Sequence, residues 1–380
     1  MQKLYSAFFV DYDIYYKTFR IMKYLHFYTK EEDFNKDYWG RDYLEPWVSL
    51  TVEDSRRVDY NRSQPLTFTA LQNGAILVET RAEQGTNLYL ERDIKYAHNG
   101  EMHTISLNSA TTSSTISVAS GDVVYFFGDN DRYCEYNEAA GTDVYVRIIS
   151  QTARINISGN IMSLVNSKNW EDEKLDREYS FAYLFSTSQV VSAEDLVLPD
   201  KLYPWCISRL FKGCNKLEKA PVLPSKDVEP GCYFEMFRDC SSLTTAPTLP
   251  NIETAKTYCY GHMFYGCSNL VNNIPSILPA TTLEDYCYLR MFYNCRKITK
   301  APVLPAAEVV SYSYNTMFFN CTSLSEITCL ATSFTGSAPK NGWVQNVAPN
   351  GTFIKSSNIT ENQWGRGANG IPTGWTVQDA

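Results

Sequence analysis

The sequence predicts a mainly β chain in which a β-sandwich precedes a repeat solenoid. Three observations predict it. Residues 185–330 repeat with a period of 26–28, and residues 65–160 alternate apolar and polar among β-branched side chains. No run of 18 apolar residues exists to form a membrane-spanning helix.

Residues 1–62 form an aromatic N-terminal attachment region. Tyr12, Tyr15, Tyr16, Phe19, Tyr24, Phe27 and Tyr28 are interleaved with basic residues and show no clean helix or strand period. One reading packs these rings against the following domain; the other buries them in another protein, because tyrosine and tryptophan join a large apolar body to a polar tip. Single-stranded nucleic acid ranks third, since acidic residues outnumber basic ones here.

Residues 63–160 read as a β-sandwich or jelly-roll-like domain. Its expected strands are 66–70, 75–80, 103–107, 115–118, 122–127, 144–150 and 153–158, punctuated by Asn73-Gly74, Asn99-Gly100, Ser120-Gly121 and Gly128–Asp131. Asp129 and Asp131 could offer oxygen ligands to calcium, but the twelve-residue loop pattern is missing and a plain turn is the reading adopted. Residues 161–184 link this domain to the array, with the charged run Glu171–Glu178 expected as a polar N-terminal cap.

The array itself is marked by Phe211, Phe237, Phe264, Phe292 and Phe318, each followed three residues later by Cys214, Cys240, Cys267, Cys295 and Cys321. Phe185 opens the series, with Ser188 in place of the cysteine. A second cysteine stands five residues before each phenylalanine at Cys206, Cys232, Cys259 and Cys287, with Ser313 in the last copy. One such unit cannot bury its apolar face alone, so neighbours must stack. The cysteines are read as a ladder of buried reduced thiols acting as small apolar residues, and the serines as equivalent filler. A metal site is disfavoured because no Cys-x-x-Cys pair exists.

Leu243, Ala246 and Leu249 are expected to point inward. The exposed rows expected between such residues are Glu218, Lys219 and Val222; Thr244, Thr245 and Thr248; Thr299, Lys300 and Val303; and Ser325, Glu326 and Thr328. Asn272 and Asn273 mark a two-residue lengthening read as a bulge. These rows form the expected recognition surface on the strand face. Tyr233, Tyr260, Tyr288 and Tyr314 form a second ladder, expected to pack between repeats. After Leu330 the period is read as stopping, and residues 331–380 as a C-terminal cap whose tryptophans cover the last repeat; an aromatic sugar site is the lesser reading.

The run Met-Phe-x-x-Cys-x-x-Leu-x-x-Ala-Pro-x-Leu-Pro from Met236 to Pro250, repeated with two extra residues from Met263 to Pro279, resembles the BspA-like leucine-rich repeats of surface proteins in gut Bacteroidetes and their phages. Gly159–Leu164 and the ending Gly370–Val377 resemble the lead-in and closing segments of such arrays. The resemblance covers residues 180–380. It implies a right-handed α/β leucine-rich solenoid, with short parallel strands on one face and turns or short helices on the other. It also implies a non-catalytic adhesive or receptor-binding role.

Composition narrows the function classes. A net charge of −8 with no basic stripe argues against nucleic acid. Asp11 and Asp13 interrupt the apolar N-terminus, a poor secretion signal, which favours arrival at a surface as part of a virion over ordinary export. No metalloprotease, nucleophile-elbow, P-loop or dinucleotide motif occurs around the four histidines, and His262 is expected to be exposed. No cofactor and no membrane insertion are expected. The expected function is a non-enzymatic phage virion component that binds a host-surface glycan or protein and other virion proteins, with self-association left open. The alternative is a bacterial secreted adhesin at the cell surface, and a glycan-processing enzyme keeps low weight.

Overall fold

The computed structural model describes residues 61–82, 88–110, 112–171, 173–223 and 228–380; the attachment residues Tyr12 to Tyr28 lie outside them. The described residues are mainly β with almost no helix. Nine strands come first: β1 (Leu66–Ala70), β2 (Gly74–Ala82), β3 (Arg92–His98), β4 (Glu101–Leu107), β5 (Ser113–Val118), β6 (Val123–Phe127), β7 (Cys134–Asn137), β8 (Thr142–Ser150) and β9 (Ile155–Asn160). All seven strands expected from alternation have counterparts. β3 and β7 were not anticipated, because β3 carries Arg92, Asp93 and Lys95, and β7 buries only Cys134. The Asn99-Gly100 turn closes the β3–β4 hairpin with both residues at positive φ, 53° and 80°, the backbone that the strand twist favours.

These strands make two sheets, β5-β2-β8-β7 and β10-β9-β1-β6-β3-β4. The last member, β10 (Val190–Val197), lies inside the repeat region and pairs parallel to β9. Further backbone bonds tie sheet to array: Ile148 N–H to Leu184 O at 2.8 Å, Tyr133 N–H to Ser180 O at 2.7 Å, and Gln189 N–H to Ser150 O at 3.0 Å. The sheets therefore cover the first turn of the array. The described residues of the run Glu171–Glu178 form a loop; their charged side chains are solvated or half-buried, and Leu175 alone is buried.

The array is a β-solenoid built on two kinds of side. On one, short parallel pairs join successive turns: β11 (Thr254–Ala255) with β12 (Thr282–Leu283), and β13 (Glu308–Val309) with β15 (Ser333–Phe334). β14 (Glu326–Cys329), β16 (Thr352–Lys355) and β17 (Thr376–Asp379) form a longer ladder in register. The solenoid thus runs on past Leu330, where the sequence repeat had been read as ending. Trp343, Phe353, Trp364 and Trp375 are buried within these last turns, so their rings serve packing and not an open sugar site.

Among the described residues, the other side contains no helix. It is a ribbon of consecutive β-turns with a period of four. Around Phe264, Cys259, Tyr260, Met263, Phe264 and Cys267 are fully buried, while Tyr258, His262 and Gly266 take positive φ of 57°, 55° and 74°. Alternate N–H groups bond within the turn and across to the next one: Met263 donates to Tyr260 O at 3.2 Å and Phe264 to Met291 O at 2.9 Å. Every second peptide thus points along the axis. This satisfies the backbone without strands or helices. The α component expected of the solenoid is accordingly replaced by stacked turns. A short helix, α1 (Glu361–Trp364), closes its own N-terminus with a Thr360/Gln363 capping box.

Inside, the phenylalanines stack from Phe185 to Phe318 with ring centroids 5.6–5.9 Å apart. Tyr233, Tyr260 and Tyr288 stack beside them and Tyr314 packs tilted on Tyr288, all four fully buried, in line with the inter-repeat packing reading. Each cysteine after a phenylalanine donates its thiol to the carbonyl of the phenylalanine one turn back: Cys240 Sγ to Phe211 O at 3.2 Å, Cys267 to Phe237 O at 3.0 Å. The thiol is a core residue that also satisfies a carbonyl. Ser188 corrects the filler reading: its hydroxyl accepts the Ser150 N–H at 2.9 Å, a role a thiol fills poorly at the junction with β8.

Candidate binding surfaces

The strand-side rows expected to recognise a partner are exposed in most copies and half-buried in the last. Leu243, Ala246 and Leu249 are buried, and Thr244, Thr245 and Thr248 are exposed between them. Glu218, Lys219, Asn272, Asn273, Thr299 and Lys300 are also exposed, while Ser325 and Glu326 are half-buried. Single parallel bridges align them from turn to turn: Ser192 with Lys219, Thr245 with Asn272, and Lys300 with Glu326. At the two-residue lengthening, Asn273 sits at φ 51° and its amide donates to Ala246 O at 2.8 Å. Two of the expected charges are held by neighbours, Lys219 by Glu194 and Lys300 by Glu326, each at 2.7 Å. Exposed pairs of this kind are worth at most about 1 kcal/mol and open readily to a ligand.

Sequence reasoning passed over the turn side. Two runs of rings stand outward there, stacked face to face: Tyr258, Tyr286 and Tyr312 at 4.6 and 4.7 Å, and Tyr265, Tyr293 and Phe319 at 4.5 and 4.6 Å. Their faces are covered by one another, so solvent meets ring edges and phenol tips. Beside the second run, Asn294, Asn320 and Asn346 pass amide hydrogen bonds along the axis at 3.0 and 2.7 Å. The signal lay in the fixed offsets from each phenylalanine, but only a period of four makes these positions outward.

Between the two ring runs sits a charge cluster that joins the sheets to the array. Arg209 reaches Asp143 of β8 at 3.1 Å and Glu235 at 3.0 Å; Lys212 and Arg238 also hold Glu235, and His262 Nδ1 lies 3.7 Å from it. Burial alone would raise the Glu235 carboxyl, yet Lys212, Arg209 and Arg238 outweigh it and hold it at about 2. His262 is buried, not exposed as expected from its variable neighbours. Burial depresses it to about 4, with Glu235 opposing and Arg290, Arg238 and Arg209 adding to the depression.

Other candidates reduce to structure. Asp129, weighed as a calcium ligand, is held near 2 by Lys95 and by the Ser167 backbone and hydroxyl. Burial pushes the Cys206 and Cys214 thiols to about 12, far from a reactive thiolate. Among the described residues no cluster of His, Cys, Asp or Glu is placed to hold a metal ion, and no helix is long and apolar enough to cross a membrane. A cavity of about 440 Å3 near the C-terminal end is lined chiefly by small residues such as Ala348, Gly367 and Gly374. Comparison with known protein families, curated proteins and solved structures finds no match.

Proposed function

We propose that this chain is a non-enzymatic binding protein whose solenoid presents side-chain rows to a partner surface. The supporting observation is the division of labour within each turn. Aliphatic, aromatic and thiol side chains are buried in unbroken ladders, and Thr244, Thr245, Asn272, Thr299 and Lys300 are left exposed in alignment. A stiff scaffold with variable outward residues suits recognition. We further read the repeats as BspA-like leucine-rich repeats and the two sheets ahead of them as a β-sandwich.

The setting we favour is a Bacteroidetes phage virion, with residues 1–62 as attachment region and a host-surface glycan or protein as target. The second reading is a bacterial cell-surface adhesin of the same build. Mass spectrometry of purified phage particles and bacterial outer membranes from the source culture separates them. Peptides of this chain at stoichiometric copy number in particles support the virion; peptides confined to membranes or medium support the adhesin. Turnover of a polysaccharide, abolished by one carboxylate substitution, would overturn the non-enzymatic reading.

A further inference from the structure

Many cations of the array are matched by carboxylates; among the described ones that are not, Lys201, Lys216 and Lys340 stand apart from one another in sequence, while three others fall within eight residues of one turn. Arg209, Lys212 and Arg238 hold Glu235; Lys219 pairs with Glu194, Lys256 with Glu229, Lys355 with Asp379, and Arg366 with Glu361. Arg290, Arg296 and Lys297 are exposed, and among the described residues none has a carboxylate partner. Arg290 makes one hydrogen bond, from Nε to Thr316 Oγ1 at 3.2 Å. Lys300 adds a fourth cation in the same turn, loosely held by Glu326 with its own side chain 64% exposed.

These four cations follow the outside of a single turn past two neutral polar features, the edge of the Tyr293 ring and the Asn294 amide. Tyr293 is stacked on both faces, by Tyr265 and Phe319. Asn294 is the first member of the asparagine file. In a chain of net charge −8, an arc of four cations, three of them without a carboxylate partner, is a local reversal of sign. Such a reversal draws a polyanion to one place and repels it elsewhere.

We propose that the arc formed by Arg290, Tyr293, Asn294, Arg296, Lys297 and Lys300 binds an acidic glycan carrying carboxylate or sulfate groups. This rests on the reading of the chain as a surface-binding protein and names the class of its ligand. Guanidinium groups take carboxylate or sulfate in bidentate fashion, and the phenol and amide suit sugar hydroxyls. Single-stranded nucleic acid fits worse: it needs open ring faces for base stacking, and here both faces of Tyr293 are covered. Duplex nucleic acid needs a longer basic track than one turn supplies.

The test is affinity electrophoresis of the full chain in gels holding heparin, polygalacturonate or neutral dextran, with a labelled thymidine oligonucleotide measured in parallel. The variants are R290A/R296A/K297A and, as a control of matched charge loss, K168A/K174A/K201A. The proposal predicts retardation by at least one polyanion and none by dextran, weakened tenfold or more in the arc variant and unchanged in the control. Heparin alone or polygalacturonate alone identifies sulfate or carboxylate. No retardation, equal loss in both variants, or tighter binding of the oligonucleotide would overturn it. Binding of the same proteins to bacterial cells distinguishes the failures: cell binding that survives in the arc variant, with no polyanion retardation, removes this proposal only. No cell binding by the unaltered chain removes the surface-binding reading itself.

Discussion

Cysteine and serine divide two roles at one position of the repeat. Cys214, Cys240, Cys267, Cys295 and Cys321 each donate a thiol to a phenylalanine carbonyl, while Ser188 accepts an N–H from β8. Ser188→Ala should leave a buried N–H unpaired and destabilise by about 1–3 kcal/mol. Urea denaturation measures this, and an unchanged midpoint would show that the bond contributes nothing. Phe264→Ala removes a fully buried ring from the middle of its ladder and should destabilise by about 3–5 kcal/mol; a loss within about 0.5 kcal/mol would refute the inward ladder. His262 adds a pH term. The unfolded chain takes up its proton near 6.5 and the folded chain only near 4. Its contribution is therefore complete above 6.5, declines as the pH falls between these values, and is lost below about 4. His262→Gln should flatten the fall in stability across that window. Parallel profiles for the two proteins would contradict the depressed pKa. The residue's burial was not legible, since Glu235 and Arg290 at equivalent positions suggest a solvated row. The reason is that Glu235 turns inward on Arg209, Lys212 and Arg238, and His262 packs beside it, its ring tilted against Phe234 at 5.3 Å.

At the scale of elements, the sequence showed the strands that alternate and missed those that do not. β1, β2 and β8 were visible because one side or both is apolar and β-branched; β10 was hidden because its pattern is set by lying between β9 and the next array turn. The turn ribbon was illegible for another reason. Its period of four matches neither strand nor helix, and its backbone places Tyr258, His262, Tyr286 and Arg290 at positive φ, a region bulky residues seldom enter. Stacked neighbours enforce it, because each such turn is bonded on both sides. Gly231 marks the place where the ring run needs room. It sits at φ 62°, and a Cβ there would meet the Trp205 ring at 2.3 Å. Gly231→Ala should therefore lower stability by about 1–3 kcal/mol, from left-handed strain and displacement of Trp205. An unchanged thermal midpoint would mean that Trp205 moves aside without cost.

For the whole molecule, the sheets and the solenoid share β10 and one continuous core, so the array has no exposed first turn to protect. The strand-side candidate surface was legible from period and offset alone. The basic arc was not, because it depends on which cations find carboxylates in neighbouring turns. The central claim is that the exposed rows of this solenoid bind a partner surface. Its most direct test is a binding isotherm of labelled chain on bacterial cells from the source culture, beside a variant with Thr244, Thr245 and Lys300 changed to Ala. All three side chains are exposed, so the variant should unfold at the same urea midpoint. Saturable binding by the unaltered chain, weakened at least about tenfold, or 1.4 kcal/mol, in the variant, is the predicted result. Equal binding by the two proteins would contradict the account and move recognition off the strand side.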